Sequence, residues 1–347
     1  MIQKYIIRNN SLNELRVWLA ISVVFIHLSY LTQTDLTKSL LNIFYLLSVR
    51  AVDVFFVLSG FLIYMSWDKK PDVRNYFYKR FFRIYPLYFF VVISVFVFYL
   101  YSVKDVYYIS ALKYLFYNLI FLNFLAPTLP GLFDAGYSSI INGALWSIKV
   151  EVLFYILVPF LYRYIESQTY KFFALLSILA LSLTFNLLVA VVDSYLSISL
   201  TSLYNQLPSK LYLFIIGILI YKYFSFFDRF LTFKGLFFGL IVLFISLFFE
   251  VQALQSILLV TIVFFIALSK NEFSFISKAG DLSFSIYVTH FPLIQLFVFF
   301  GMDFNLLSNI LYFFSIQLII SYLIWQYFEQ KFIRFSVIKT KGYSNEV

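Results

Sequence analysis

Apolar blocks, each close to the roughly 20 residues that cross a bilayer as helix, follow one another along almost the whole chain and are separated by short charged loops. In hydrocarbon every backbone N–H and C=O must be satisfied within its own segment, so a chain patterned this way folds as a polytopic helical bundle. Only 12% of the 347 residues are charged and 62% are hydrophobic, whereas about a quarter of residues are charged in soluble domains. A water-soluble enzyme is excluded, and no separate soluble domain fits.

The blocks lie near residues 14–32, 43–66, 84–103, 144–163, 171–192, 209–224, 234–250, 252–269, 282–300 and 306–328. A shorter block near 112–126 decides the orientation of everything after it. If it does not cross, twenty of the 26 Lys and Arg residues sort to one face, in line with the positive-inside tendency. These are Lys4, Arg8 and Arg16, the run from Lys69 to Arg83, and the basic residues of 163–171, 222–234, 270–278 and 331–341. Counting the block as a span sends the later basic loops outside. The expectation is an all-α polytopic membrane protein of about ten transmembrane helices, with one short interfacial or re-entrant helix and both termini cytoplasmic.

Residues 1–347 are expected to form a single transmembrane domain, with 329–347 a short basic cytoplasmic tail, in the cell's inner membrane. Basic flanks account for the net charge of +9 without a nucleic-acid partner. The N-terminal basic residues ahead of an apolar run look like a signal peptide, but no small-residue cleavage site follows, so the first span is expected to remain. No internal repeat is visible of the kind that marks inverted-repeat transporters. The chain has no cysteine and two histidines, which excludes disulfides and thiolate chemistry and leaves no expectation of a metal site. Any catalysis rests on histidine, carboxylates or hydroxyls.

Ionisable groups at membrane depth cost about 2.5–3.5 kcal/mol each on insertion scales, so they usually face the bundle interior and act there. His27 lies about 16 Å along the first span from Arg16, Asp53 about 15 Å below the outer end of the second, and Glu151 about 10 Å below the outer surface in the fourth. His290 reaches the midplane from the inside. The four overlap in depth, and if they face one another they make an intramembrane polar site. The structural alternative is a hydrogen bond to a neighbouring helix, which for His290, beside Pro292, is the favoured reading. At the inner end of the third span, Arg80 and Arg83 are three residues apart and share a helix face, presenting two guanidinium forks suited to phosphate. Ordinary anchoring explains such a pair as well. A donor with a phosphorylated head here and a reactive end near His27, about 15–20 Å away, has the shape of coenzyme A.

Five motifs in order carry a resemblance along nearly the whole chain. They are LRVWLAISVVFIH with Arg16 and His27, VDVFFVLSGFLIY with Asp53, Ser59 and Gly60, YKRFFRIYPLY with Arg80 and Arg83, ALWSIKVEVLFYILVP with Trp146 and Glu151, and LSFSIYVTHFPL with Tyr287 and His290. The sequence resembles the integral-membrane acyltransferase family 3, the O-acyltransferases that decorate bacterial surface glycans. The resemblance implies transfer of an acyl group, most often acetyl, from cytoplasmic acetyl-CoA to a sugar hydroxyl of a polysaccharide or lipid-linked glycan. It implies that Arg16, Arg80 and Arg83 handle the donor and that His27 is catalytic, as the base or through an acyl-histidine relay, with Asp53 or Glu151 orienting the ring. Ser59, Gly60, Trp146, Tyr287 and His290 are then acceptor-side or structural residues. Lys149 departs from the family pattern, and with its last span near the end the chain is expected to work without the extracytoplasmic domain fused to some relatives. The competing class is a transporter or flippase for a glycan or anionic substrate.

Overall fold

The computed structural model describes residues 11–34, 42–196, 200–227, 237, 241 and 280–343. Among these residues the structure is helical, with one isolated antiparallel bridge between Thr128 and Ile140. The main helices are α1 (Ser11–Thr32), α2 (Asn42–Lys69), α3 (Val73–Ser102), α4 (Tyr108–Leu119), α5 (Leu145–Ser167), α6 (Lys171–Leu196), α7 (Leu207–Lys222), α8 (Ser283–Phe299), α9 (Leu307–Ile324) and α10 (Gln330–Tyr343). A single π-helical turn, Trp325–Glu329, joins α9 to α10.

Among the described residues, seven helical stretches are long and apolar enough to cross a membrane: Leu12–Thr32, Ser48–Lys69, Val73–Ser102, Leu145–Ser167, Lys171–Tyr195, Thr201–Lys222 and Leu307–Ile338. Helix α8 is apolar but shorter, at 17 residues. The expected spans at 234–250 and 252–269 lie outside the described residues. The block expected near 112–126 forms α4 and a 3-10 turn, Asn123–Leu125. Twelve residues of helix rise about 18 Å, too little to cross hydrocarbon. Its faces differ: Ala111, Tyr114 and Asn118 are buried, while Ile109, Leu112 and Phe116 are exposed. An exposed apolar face on so short a helix suits a place at a membrane interface.

The helices cluster into two compact units, each assembled from separated stretches of sequence. One comprises Met1–Arg16, Arg50–Val73 and Val150–Lys278; the other comprises Val17–Val49, Arg74–Lys149 and Ala279–Val347. In the first unit α2 and α7 approach closely at glycines. A Cβ added at Gly60 would overlap the Phe214 carbonyl, and one added at Gly217 would overlap the Val57 carbonyl and the Phe61 amide. Small residues let helix backbones meet in lipid, where packing replaces the hydrophobic effect as the driving force. Helix α7 is also pinned to α6, since Ser182 Oγ donates to the Pro208 carbonyl at 2.6 Å and accepts from the Tyr212 amide at 2.8 Å. Pro208, in the first turn of α7, sits where its missing N–H leaves nothing unpaired.

In the second unit, Tyr88 on α3 donates to the Asn118 carbonyl at 2.7 Å. Asn118 in turn donates to the carbonyls of Tyr114 and Ala126, closing the end of α4. The loop that follows is tied to α8 by Gln295, whose Nε2 donates to the carbonyls of Ser138 and Ile140 at 2.7 and 2.8 Å. Gln317 on α9 donates to Thr289 Oγ1 on α8 at 2.9 Å. These bonds hold α8 in register with its neighbours, and α8 carries half of the site described next.

Candidate active site

Helix α1 supplies His27 and α8 supplies His290, and the two imidazoles meet: Nδ1 of His27 lies 2.8 Å from Nε2 of His290. The ring planes are within 21° of each other. His290 has no exposed surface, and its Nδ1 lies 3.2 Å from the Ile286 carbonyl one turn back. His27 is only half-buried. The edge of Phe291 closes on His27 at 5.2 Å between centroids, and Gly143 makes room for it, since a Cβ there would run into the Phe291 ring. Tyr287 is fixed by Ser147, hydroxyl to hydroxyl at 2.6 Å, and it donates to the Ala144 carbonyl at 3.3 Å.

A proline two residues after His290 would ordinarily weaken the helix that presents the ring. Pro292 has no N–H, so the Val288 carbonyl loses its helical donor. Asn142 supplies the replacement, its Nδ2 donating to that carbonyl at 2.9 Å. The segment before α5 thus repairs α8 at the level of the histidine pair. Trp146, half-buried, and Lys149, whose ammonium lies 4.3 Å from the Phe124 ring centroid, begin α5 in this same unit.

The two carboxylates expected beside His27 belong to the other unit, each with partners of its own. Asp53 accepts from Lys210 at 3.5 Å and pairs with Arg50 at 3.7 Å. Glu151 Oε1 accepts from Ser59 at 3.0 Å and from Tyr155 at 2.6 Å. Within its own unit, the ring of His27 is met by a second imidazole. Of the expected residues, the structure brings His27, His290 and Tyr287 into one neighbourhood and Ser59, Gly60 and Glu151 onto packed helices of the other unit.

Arg83 forms a second buried cluster. Its guanidinium bridges Asp281 at 2.6 Å and Glu329 at 3.2 Å, and lies 5.6 and 5.9 Å from the ring centroids of Phe284 and Trp325. Glu329 is buried at the end of the π-helical turn. Gly280, at φ +110°, brings the chain against the Trp325 indole, where any side chain would collide. Arg80 lies over the Tyr76 ring at 5.7 Å. Sorting by basic residues alone left Asp281 and Glu329 out of account, although both sit at the same ends of their blocks as Arg83 does.

A helical membrane protein with a paired imidazole in its core is the class that these features define. The family model for the acyltransferase domain of the type-3 family matches residues 9–326, and the chain belongs to that family. It is 30% identical to nodulation protein 10 of Rhizobium leguminosarum bv. viciae over 164 residues, 44% of each chain. It is 31% identical to the acyltransferase MdmB of Streptomyces mycarofaciens over 181 residues, 46% of this chain and 41% of that one. The chain spans less than half the length of these curated relatives. No solved structure matches it.

Proposed function

We propose that the protein is a membrane O-acetyltransferase, moving an acetyl group from cytoplasmic acetyl-CoA to a hydroxyl of a cell-surface polysaccharide or lipid-linked glycan. The observation that carries this reading is the half-buried His27 ring held through Nδ1 by His290, on the helix and in the motif that the family resemblance makes catalytic. Neutral imidazole is suited to general-base work near neutral pH. His27 takes the proton of the acceptor hydroxyl as its oxygen bonds to the thioester carbonyl carbon. The C–S bond then breaks, and the departing thiolate takes the proton back.

Arg83 already carries two carboxylates, which would repel an incoming phosphate. The donor phosphates are assigned to Arg80, while Arg83 ties α3 to α8 and to the turn after α9; Arg16, in the other unit, is the third donor residue that the resemblance implies. Ser59, Gly60, Trp146 and Tyr287 serve the packing that holds these helices.

The test is to incubate the purified protein with labelled acetyl-CoA and a crude glycan or lipid-glycan extract. Labelled glycan is expected. Movement of unmodified glycan across a vesicle membrane, with no label transferred, would instead favour a transporter.

A further inference from the structure

The contacts around the second histidine constrain more than its position. A carbonyl oxygen carries no proton, so the contact between His290 Nδ1 and the Ile286 carbonyl at 3.2 Å requires the hydrogen to be on Nδ1. A neutral imidazole has only one N–H, which leaves Nε2 of His290 as an acceptor. That nitrogen is the one 2.8 Å from Nδ1 of His27, so His27 must carry its own hydrogen on Nδ1. Its Nε2 then has a bare lone pair. Free in water, histidine carries its proton mainly on Nε2, so an unpaired His27 would offer the other nitrogen.

We infer that His290 is a positioning residue: it passes the demand of one backbone carbonyl across two rings and fixes His27 in the tautomer whose Nε2 can accept a proton. The inference deepens the general-base reading and rests on it for its catalytic meaning. Three features make the device rigid. His290 is fully buried. The α8 backbone that presents both it and Ile286 is repaired at Pro292 by Asn142. Phe291, seated against Gly143, blocks the flank of His27. A structural hydrogen bond between two helices would need only one of these contacts and would be indifferent to which nitrogen held the proton.

The relay can be read without any assay of turnover, because the chain has only two histidines. Full-length protein labelled with ¹⁵N-histidine gives two imidazoles, assigned by His27→Ala and His290→Ala. Both rings are expected to show a protonated Nδ1 and a bare Nε2, with scalar coupling through the hydrogen bond between His27 Nδ1 and His290 Nε2. In His290→Ala the proton of His27 is expected to redistribute toward Nε2, and kcat to fall on the order of 10²-fold with KM for acetyl-CoA unchanged. A wrong tautomer in the serine-protease triad costs about 10⁴ in kcat. His290→Gln, whose amide oxygen can accept from Nδ1–H, should restore the tautomer and part of the rate.

A wild-type His27 protonated on Nε2, or a His27 spectrum unchanged in His290→Ala, overturns the relay even if acetyl transfer is intact. The expected tautomer in a protein that transfers no acetyl group leaves the relay standing and removes the proposed function.

Discussion

The histidine pair and the Arg83 cluster lie in the same unit and both draw on α8, yet their hydrogen bonds are arranged differently. Arg83 is held by two carboxylates and two aromatic faces. The histidine pair is closed at one end only: His290 is bonded at both nitrogens, while among the described residues of the unit no partner takes Nε2 of His27. The ring of His27 is only half-buried, whereas Glu329, which meets the Arg83 guanidinium, is buried. On the function proposed above, the Arg83 cluster holds helices together and the histidine pair acts on the substrate.

The largest effect that separates the two is loss of turnover without loss of fold. His27→Ala is expected to lower acetyl transfer by about 10²–10⁴-fold, the usual range for a general base, while thermal unfolding in detergent stays close to wild type. Near-normal transfer by this variant would remove His27 from the chemistry and break the contrast.

Arg83→Ala should behave in the opposite way. It leaves Asp281 and the buried Glu329 facing each other without the cation between them, and breaking a buried pair from one side costs about 3–5 kcal/mol. A steep drop in unfolding temperature and in the yield of folded protein is expected. Arg83→Lys keeps the charge but cannot fork to both carboxylates, so its loss should be smaller, about 1–2 kcal/mol. If Arg83→Lys unfolds like wild type but binds acetyl-CoA much more weakly, Arg83 belongs with the donor phosphates and the division of roles between Arg80 and Arg83 fails.

Much of the scaffold is legible in the sequence because hydropathy and helix rise are local properties. The apolar blocks locate the described span-length helices, although α3 begins at Val73, eleven residues before its block, and the last stretch runs to Ile338, ten residues past its own, and the weak block near 112–126 is too short for a crossing. The Arg83 cluster was within reach as well. The ten-span reading puts Arg83 at the start of its third span, Asp281 before its ninth and Glu329 after its tenth, all at one face, and sorting acidic residues with the basic ones would have put them at one level. The histidine pair was not within reach. Depth along a helix follows from residue number, but rotation about the helix axis and the choice of neighbour do not, and His27 and His290 are 263 residues apart. The same limit explains Asp53 and Glu151. Their depths matched that of His27, while their partners, Lys210 and Arg50 for one and Ser59 and Tyr155 for the other, are set by tertiary packing.

The smallest expected effect extends the contrast to the other unit. Glu151 Oε1 takes two donors, Ser59 Oγ and Tyr155 Oη, both within its own unit, so Ser59 is expected to serve packing. Ser59→Ala removes one of the two and leaves the shorter, stronger one from Tyr155. Hydrogen bonds between transmembrane helices average about 0.6 kcal/mol by double-mutant cycles, and a loss of that size in unfolding free energy is expected, with the acetyl-transfer rate unchanged. A rate that falls while stability holds would mean that Glu151 needs Ser59 for chemistry. Glu151 would then join His27 among the groups that act on the substrate.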